Sequence, residues 1–287
     1  MEIFEGVGGS SSPLIYDSDL GKSGLEILTS EFSPDGRKIV LSSFNGMIKV
    51  VNSASTTETI TLQGKIIGSS RDMNNLLIYD GESLLKYSFA ENKTVNMGKP
   101  AKDFFHMYAV FAANNDVSLV ALSSLGQPSA DIFDVKTKTR IYTTKIHDIA
   151  TGDIPFIKKA AFSMDGKFIF TLGPDSKLFV SDAKTGNFLF SLEDKESGNA
   201  INFTLSSDDS FVAINYMTGK SVLFSLKTQK IIERIDGEIL TMENNGDVMK
   251  KLYGQHGKQL FYYIPGKKSV YYTDNNERQG SKNISLN

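Results

Sequence analysis

Three observations predict an all-β fold, a β-propeller of four-stranded antiparallel blades. A turn signature, Ser33-Pro34-Asp35-Gly36, returns as Ser163-Met164-Asp165-Gly166 and as Ser207-Asp208-Asp209-Ser210, with worn copies at residues 71–75, 114–116 and 244–246. Successive copies lie about 40 residues apart, the length of a propeller blade. Between the turns run short stretches rich in Phe, Ile, Val and Leu, bounded by Gly, Pro, Asn and Asp. That is the signature of antiparallel hairpins. Helical periodicity is poor throughout.

Along the chain, residues 1–30 hold strand-like pieces at 2–4, 13–17 and 25–29. They are too much for a disordered leader and too little for a standard four-stranded blade. Six units follow, at 31–64, 65–100, 101–153, 154–199, 200–237 and 238–274. The fourth is the clearest, with strands at 159–163, 167–172, 177–182 and 187–192. Its turns use Asp, which folds its side chain onto the backbone two residues on, and Gly, which accepts positive φ. Asn45-Gly46, Asp80-Gly81 and Thr185-Gly186 serve as the same kind of hairpin closure elsewhere. The third unit is the longest and carries a loop insertion around residues 146–156. The tail at 282–287 alternates like one more strand. A last blade built from both termini would close the ring and hide the sheet edges. That makes one domain over residues 1–287 with seven blades, the alternative being six blades with a decorated N-terminus.

Composition narrows the function classes. Apolar residues are 40% and charged residues 22% of 287, ordinary for a globular protein. Lys and Arg total 31 against 33 Asp and Glu, a net charge of -2. That balance gives no basic excess for coating nucleic acid. With no cysteine, disulfides, thiolate zinc sites, iron–sulfur clusters and thiol catalysis are excluded. The first residues lack a basic start followed by an apolar core, and no apolar run approaches the roughly 18 residues of a membrane span. Cytoplasm or nucleus is the expected location.

The repeat resembles the WD-repeat family of β-propellers. Phe32 before Ser33-Pro34-Asp35-Gly36 looks like that family's first hairpin turn. Residues 179–182 with the turn 183–186, and residues 132–134 with 135–137, look like its third strand and the turn after it. The resemblance spans roughly residues 31–274, with good motifs in about half the units. It implies a scaffold for assemblies. The departures are that no tryptophan occurs anywhere and that the usual Gly-His pair is missing. Val51, Phe133 and Ser181 stand where the family has Trp, and the partner Asp remains only at Asp134 and Asp182. The family's buried network of His, Ser or Thr, Trp and Asp is therefore expected to be incomplete here, with apolar packing between blades holding the fold.

Candidate chemistry is sparse. The histidines are His106, His147 and His256, with no pair at metal-ligand spacing. His147 beside Asp148, with Asp153 near, is the one local cluster suited to a cation or a general base; a polar surface loop explains it as well. Asp72, Asp165, Asp208 and Asp209 fall within turns, where turn formation accounts for them. Phosphate-binding, nucleophile-elbow and calcium-loop motifs are absent, so no cofactor or metal is expected. The pairs Tyr262-Tyr263 and Tyr271-Tyr272 read as strand residues packed in a core.

The loops between second and third strands, and the linkers between units, emerge at one end, because antiparallel strands alternate in direction. The first set holds Phe44, Asn45, Asp80, Gln127, Asp175, Tyr216, Met217 and His256; the second holds His106, His147, Asp148 and Asp153. This mixture suits an interface more than a solvated surface. The expectation is a non-enzymatic platform binding a protein or peptide, within a multiprotein complex, with Phe44, Tyr216 and Met217 as apolar anchors. The alternative is a propeller hydrolase or lyase using acids and histidines near the central channel. An enzyme needs convergent polar groups in one pocket. A scaffold needs an exposed apolar patch.

Overall fold

The structure, a computed structural model, describes residues 27–32, 38–43, 46–52, 59–70, 74–99, 108–150, 154–206, 208–236, 238–242, 270–273 and 279–282. Every regular element among them is a strand. The first sheet holds β1 (Ile27–Phe32), β2 (Lys38–Ser43), β3 (Met47–Asn52) and β4 (Thr59–Gln63). The second holds β5 (Lys65–Ser69), β6 (Asn75–Tyr79), β7 (Leu84–Ser88) and β8 (Lys93–Gly98). The third holds β9 (Tyr108–Ala113), β10 (Leu119–Ser124), β11 (Asp131–Asp134) and β12 (Thr139–Thr143). β13 (Lys159–Phe162), β14 (Phe168–Leu172), β15 (Leu178–Asp182) and β16 (Phe188–Leu192) form the fourth. β17 (Ala200–Leu205), β18 (Phe211–Tyr216), β19 (Lys220–Ser225) and β20 (Lys230–Asp236) form the fifth. A three-stranded sheet of β21 (Glu238–Met242), β22 (Val270–Thr273) and β23 (Gln279–Lys282) ends the series. All pairings are antiparallel and follow chain order within each sheet.

The sequence units and the sheets coincide for the second to fifth units. Two boundaries differ. The piece at 25–29 leads into β1, so the first unit starts at Ile27 and not at 31. The sixth runs past 274, because β23 pairs with β22 from Val270↔Lys282 to Thr273↔Gln279. The expected closing blade rests on residues 1–26 and 283–287, outside the described residues.

Local chemistry explains the repeat. In the turn between first and second strands, a polar side chain accepts the N–H of the residue five positions on, the start of the second strand. Ser70 does this for Asn75, Asn114 for Leu119, Ser163 for Phe168 and Ser206 for Phe211, at 2.9–3.0 Å. Asp165 and Asp208 then accept the N–H two residues further along the turn. Gly166 takes φ +70° to close it, which a β-branched residue resists. A second repeat lies at the end of the third strand in the third, fourth and fifth sheets. Asp134 accepts from Thr137, Asp182 from Thr185 and Ser225 from Thr228, fixing the turn into the fourth strand. Each such bond contributes about 1 kcal/mol net.

Packing runs from sheet to sheet. Second strands are apolar on both faces because each serves two cores. In β14, Ile169 packs toward the third sheet while Phe170 and Leu172 pack toward the fifth. In β10, Val120 and Leu122 face the second sheet and Ala121 the fourth. In β18, Val212 and Ile214 face the fourth sheet and Ala213 the sixth. Burying a side chain such as Phe170 contributes roughly 1.5–3 kcal/mol. First strands are neighbours, with β9 between β5 and β13. Fourth strands such as β8 and β12 are largely exposed. At the end bearing the first turns, Asn75 donates to Asn115, Asn115 to Met164, and Met164 to Asp209, linking four consecutive sheets.

Candidate interaction face

At the opposite end, the loops between second and third strands meet the linkers between sheets. In the third unit, Thr144 N–H donates to Ala130 O (2.8 Å), His147 N–H to Pro128 O (2.8 Å) and Gly126 N–H to Pro155 O (2.7 Å). Between the fourth and fifth units, Met217 N–H donates to Asn199 O (2.8 Å) and Thr218 Oγ1 to Ser197 O (3.0 Å). One rim therefore carries both loop sets, as antiparallel order requires.

His147 is the anchor of the linker between the third and fourth sheets. It is 1% exposed. Its Nδ1 lies 2.8 Å from Asp175 Oδ1 and its Nε2 3.0 Å from Thr171 Oγ1. An ionised carboxylate only accepts, so Nδ1 donates to Asp175, and Nε2 shares the second hydrogen bond with the Thr171 hydroxyl. The ring stacks on Phe179, 3.9 Å between centroids and 9° between planes. Gly173 lies against it, and a Cβ there would stand 2.2 Å from His147 Cγ. Burial alone would raise the Asp175 carboxyl. The hydrogen bond and charge of His147, with the N–H groups of Lys177 and Asp148, hold it below the ordinary value instead.

His147, Thr171 and Asp175 are joined by hydrogen bonds. Phe179 and Ser181 are both buried, and the ring that meets the imidazole belongs to Phe179. The reading of His147 as part of a polar surface loop with Asp148 and Asp153 is corrected, because the side chain is buried. Asp148 is exposed and pairs with Lys177 at 3.1 Å, and its N–H donates to Asp175. Asp153 lies outside the described residues.

Carboxylate, imidazole and hydroxyl in this order are the elements of a nucleophile relay. Yet Thr171 is 2% exposed and Phe179 covers the ring. The hydroxyl therefore faces the interior, and the cluster's hydrogen bonds tie the linker to the fourth sheet.

The next linker uses a different anchor. Asp194 is 6% exposed. Arg234 grips it through Nε (2.9 Å) and Nη2 (3.0 Å), and Ser197 Oγ donates to it at 2.6 Å. The Arg234 bonds hold its carboxyl down at about 2. Tyr216 also belongs here. Its hydroxyl accepts the Asp194 N–H, its ring packs in the core between the fourth and fifth sheets, and burial pushes its hydroxyl up to about 12. The expectation of Tyr216 as an exposed anchor is corrected: it ends β18 and faces inward, 2% exposed.

Of the other expected site residues, Met217 is the open one, 71% exposed. Asp80 is exposed and caps its own loop by accepting from Glu82 and Ser83. Gln127 is half-buried, bonded to Ser124. Phe44, Asn45, His106 and His256 lie outside the described residues. The sequence reading missed Leu125, Ile146, Ile149 and Ile154, all exposed on the pinned loop and linker of the third unit. The signal was present as aliphatic residues inside an insertion with no strand alternation.

Among the described residues no group of three or more His, Asp or Glu could hold a metal ion. None forms a helix long and apolar enough to cross a membrane. No protein-family model matches the chain.

Proposed function

We propose that the chain is a β-propeller acting as a non-catalytic interaction platform, which binds a protein or peptide partner through the rim of loops and linkers, as a member of a multiprotein complex. The observation that carries this reading is the division of that rim. His147, Thr171, Asp175 and Asp194 are buried and used for structure, whereas aliphatic side chains face water. The ring is supported by sheets in chain order, by cores between consecutive sheets, and by first strands set side by side. Six sheets are described, and a seventh blade would come from the two ends of the chain. The set His147, Thr171, Asp175 and Phe179 supports kinship with WD-repeat propellers.

The test is affinity purification of the tagged chain in mild salt with mass spectrometry. Wild type is compared with a rim variant (Ile146→Ser, Ile154→Ser, Met217→Ser) and an opposite-end variant (Lys167→Ala). A stoichiometric partner retained by Lys167→Ala and lost by the rim variant is expected. A folded rim variant that keeps every partner removes the proposal.

A further inference from the structure

We infer that the exposed aliphatic side chains of the third unit, Leu125, Ile146, Ile149 and Ile154, carried on a loop and a linker that the Gly126 N–H to Pro155 O bond ties together, are the docking site for a short peptide segment that presents two or three aliphatic or aromatic side chains beside a carboxylate. The inference rests on the platform reading and assigns its occupant. Four observations support it.

The first is exposure without slack. Leu125, Ile146 and Ile154 are 62%, 65% and 66% exposed and Ile149 44%. Their backbone is nevertheless tied down at Thr144, His147, Gly126 and Pro155. The buried ring of His147 also fixes its neighbours, since in an extended stretch the residue beside an inward side chain points outward. Ile146 is thus presented to water by the same contact that anchors the linker.

The second is an internal control. The corresponding linker of the next unit reads Glu193-Asp194-Lys195-Glu196-Ser197-Gly198-Asn199, with no aliphatic residue. The loop at Gly173-Pro174-Asp175-Ser176 is equally polar, whereas its counterpart is Leu125-Gly126-Gln127-Pro128. The same scaffold position therefore accepts a polar sequence, and folding does not demand the aliphatic one.

The third is size. Four side chains roughly half to two-thirds exposed offer on the order of 400 Å², about half of the ~800 Å² that each side of a standard protein–protein interface buries. That is small for a second copy of the chain and suits a segment with two or three anchors. The fourth is charge. Asp148 is committed to Lys177. Lys145, next to Ile146, lies over the rings of Phe188 (3.7 Å) and Phe179 (4.9 Å) and meets no carboxylate among the described residues. An acidic residue flanking the apolar anchors would pair with it.

The probe is a random peptide library displayed on phage, panned on the full chain. The retained peptides are then synthesised and titrated by fluorescence anisotropy against wild type, Ile146→Ser/Ile154→Ser, Lys145→Glu and Met217→Ser. The expected result is enrichment of aliphatic or aromatic residues next to Asp or Glu. Those peptides should weaken roughly tenfold or more on Ile146→Ser/Ile154→Ser, weaken less on Lys145→Glu, and bind Met217→Ser as wild type. Thermal melts confirm that each variant folds. Peptides that lose affinity on Met217→Ser but not on Ile146→Ser/Ile154→Ser overturn this occupant and leave the platform reading standing. No binding peptide from any selection counts against both. Sedimentation showing a dimer that Ile146→Ser/Ile154→Ser dissolves, or binding to zwitterionic vesicles lost in that variant, assigns the patch to a second copy or to a lipid surface and overturns the inference.

Discussion

The linker between β12 and β13 covers residues 144–158, and the one between β16 and β17 covers residues 193–199. Both cross the same rim, and both sink one polar residue into the sheet that follows. The longer uses His147, received by Thr171 and Asp175 and stacked on Phe179. The shorter uses Asp194, received by Arg234, Ser197 and the Tyr216 hydroxyl. The imidazole is seated by stacking and two hydrogen bonds. A buried carboxylate needs a cation, which Arg234 supplies from β20. Anchoring thus takes one residue per linker, whatever its chemistry. What the longer linker adds is surface, and that surface is aliphatic.

The comparison is broken most directly at His147. Replacing it with Ala removes two hydrogen bonds, leaves a cavity beside Phe179, and leaves the Asp175 carboxylate, whose side chain is 7% exposed, with only the backbone N–H groups of Lys177 and Asp148. The expected loss is about 3 kcal/mol in urea unfolding. Gly173→Ala sharpens the assignment, because the three atoms nearest its new Cβ all belong to His147. Alone it should cost about 2 kcal/mol, and less on the His147→Ala background, where the ring is gone and only the 2.6 Å approach to the Cβ of residue 147 remains. Equal costs on both backgrounds would show that the ring does not occupy this seat.

These two linkers also show how far the sequence could be read. The turns were legible because their chemistry is local: Ser163, Asp165 and Gly166 act on atoms within five residues. The sheets followed from those turns. The His147 cluster was not legible, because its partners lie 24 and 28 residues away and their meeting depends on how one sheet packs on the next. Proximity in sequence favoured Asp148, which turns out toward Lys177. Tyr216 was misread by its position. It is the last residue of a strand, and its side chain follows the strand's alternation into the core rather than the loop into water.

The second test separates the anchors by pH. The Asp194 carboxyl falls from an ordinary 3.8 to about 2 in the folded chain. A depressed acid binds fewer protons folded than unfolded, so its contribution is complete above about pH 4 and is lost as pH falls through about 2. The contribution is on the order of 1–2 kcal/mol, reduced from the full shift because Arg234 is 45% exposed and screened by water. Unfolding free energy measured from pH 5 down to about 2 should therefore fall less steeply for Asp194→Asn than for wild type. Parallel curves would mean that Arg234 does not grip Asp194 in solution.

The smallest expected effect concerns the surface that distinguishes the two linkers. Ile146 and Ile154 are about two-thirds exposed and belong to none of the buried clusters between sheets. Replacing them with Ser removes apolar area that folding scarcely covers, so the chain should lose no more than about 0.5 kcal/mol. Solubility at high concentration should rise, because the patch no longer attracts other molecules. An equally conservative change in the buried part of the same linker, Ile157→Val, should cost more, about 1 kcal/mol, since Ile157 is fully buried in the core between the third and fourth sheets. The order of these two numbers is the measurement that matters. If Ile146→Ser/Ile154→Ser destabilises the chain more than Ile157→Val, the aliphatic residues serve the fold and the rim has no side chains to spare for a partner. If it costs almost nothing, the longer linker carries residues that the fold does not use, which is the condition a docking surface must meet.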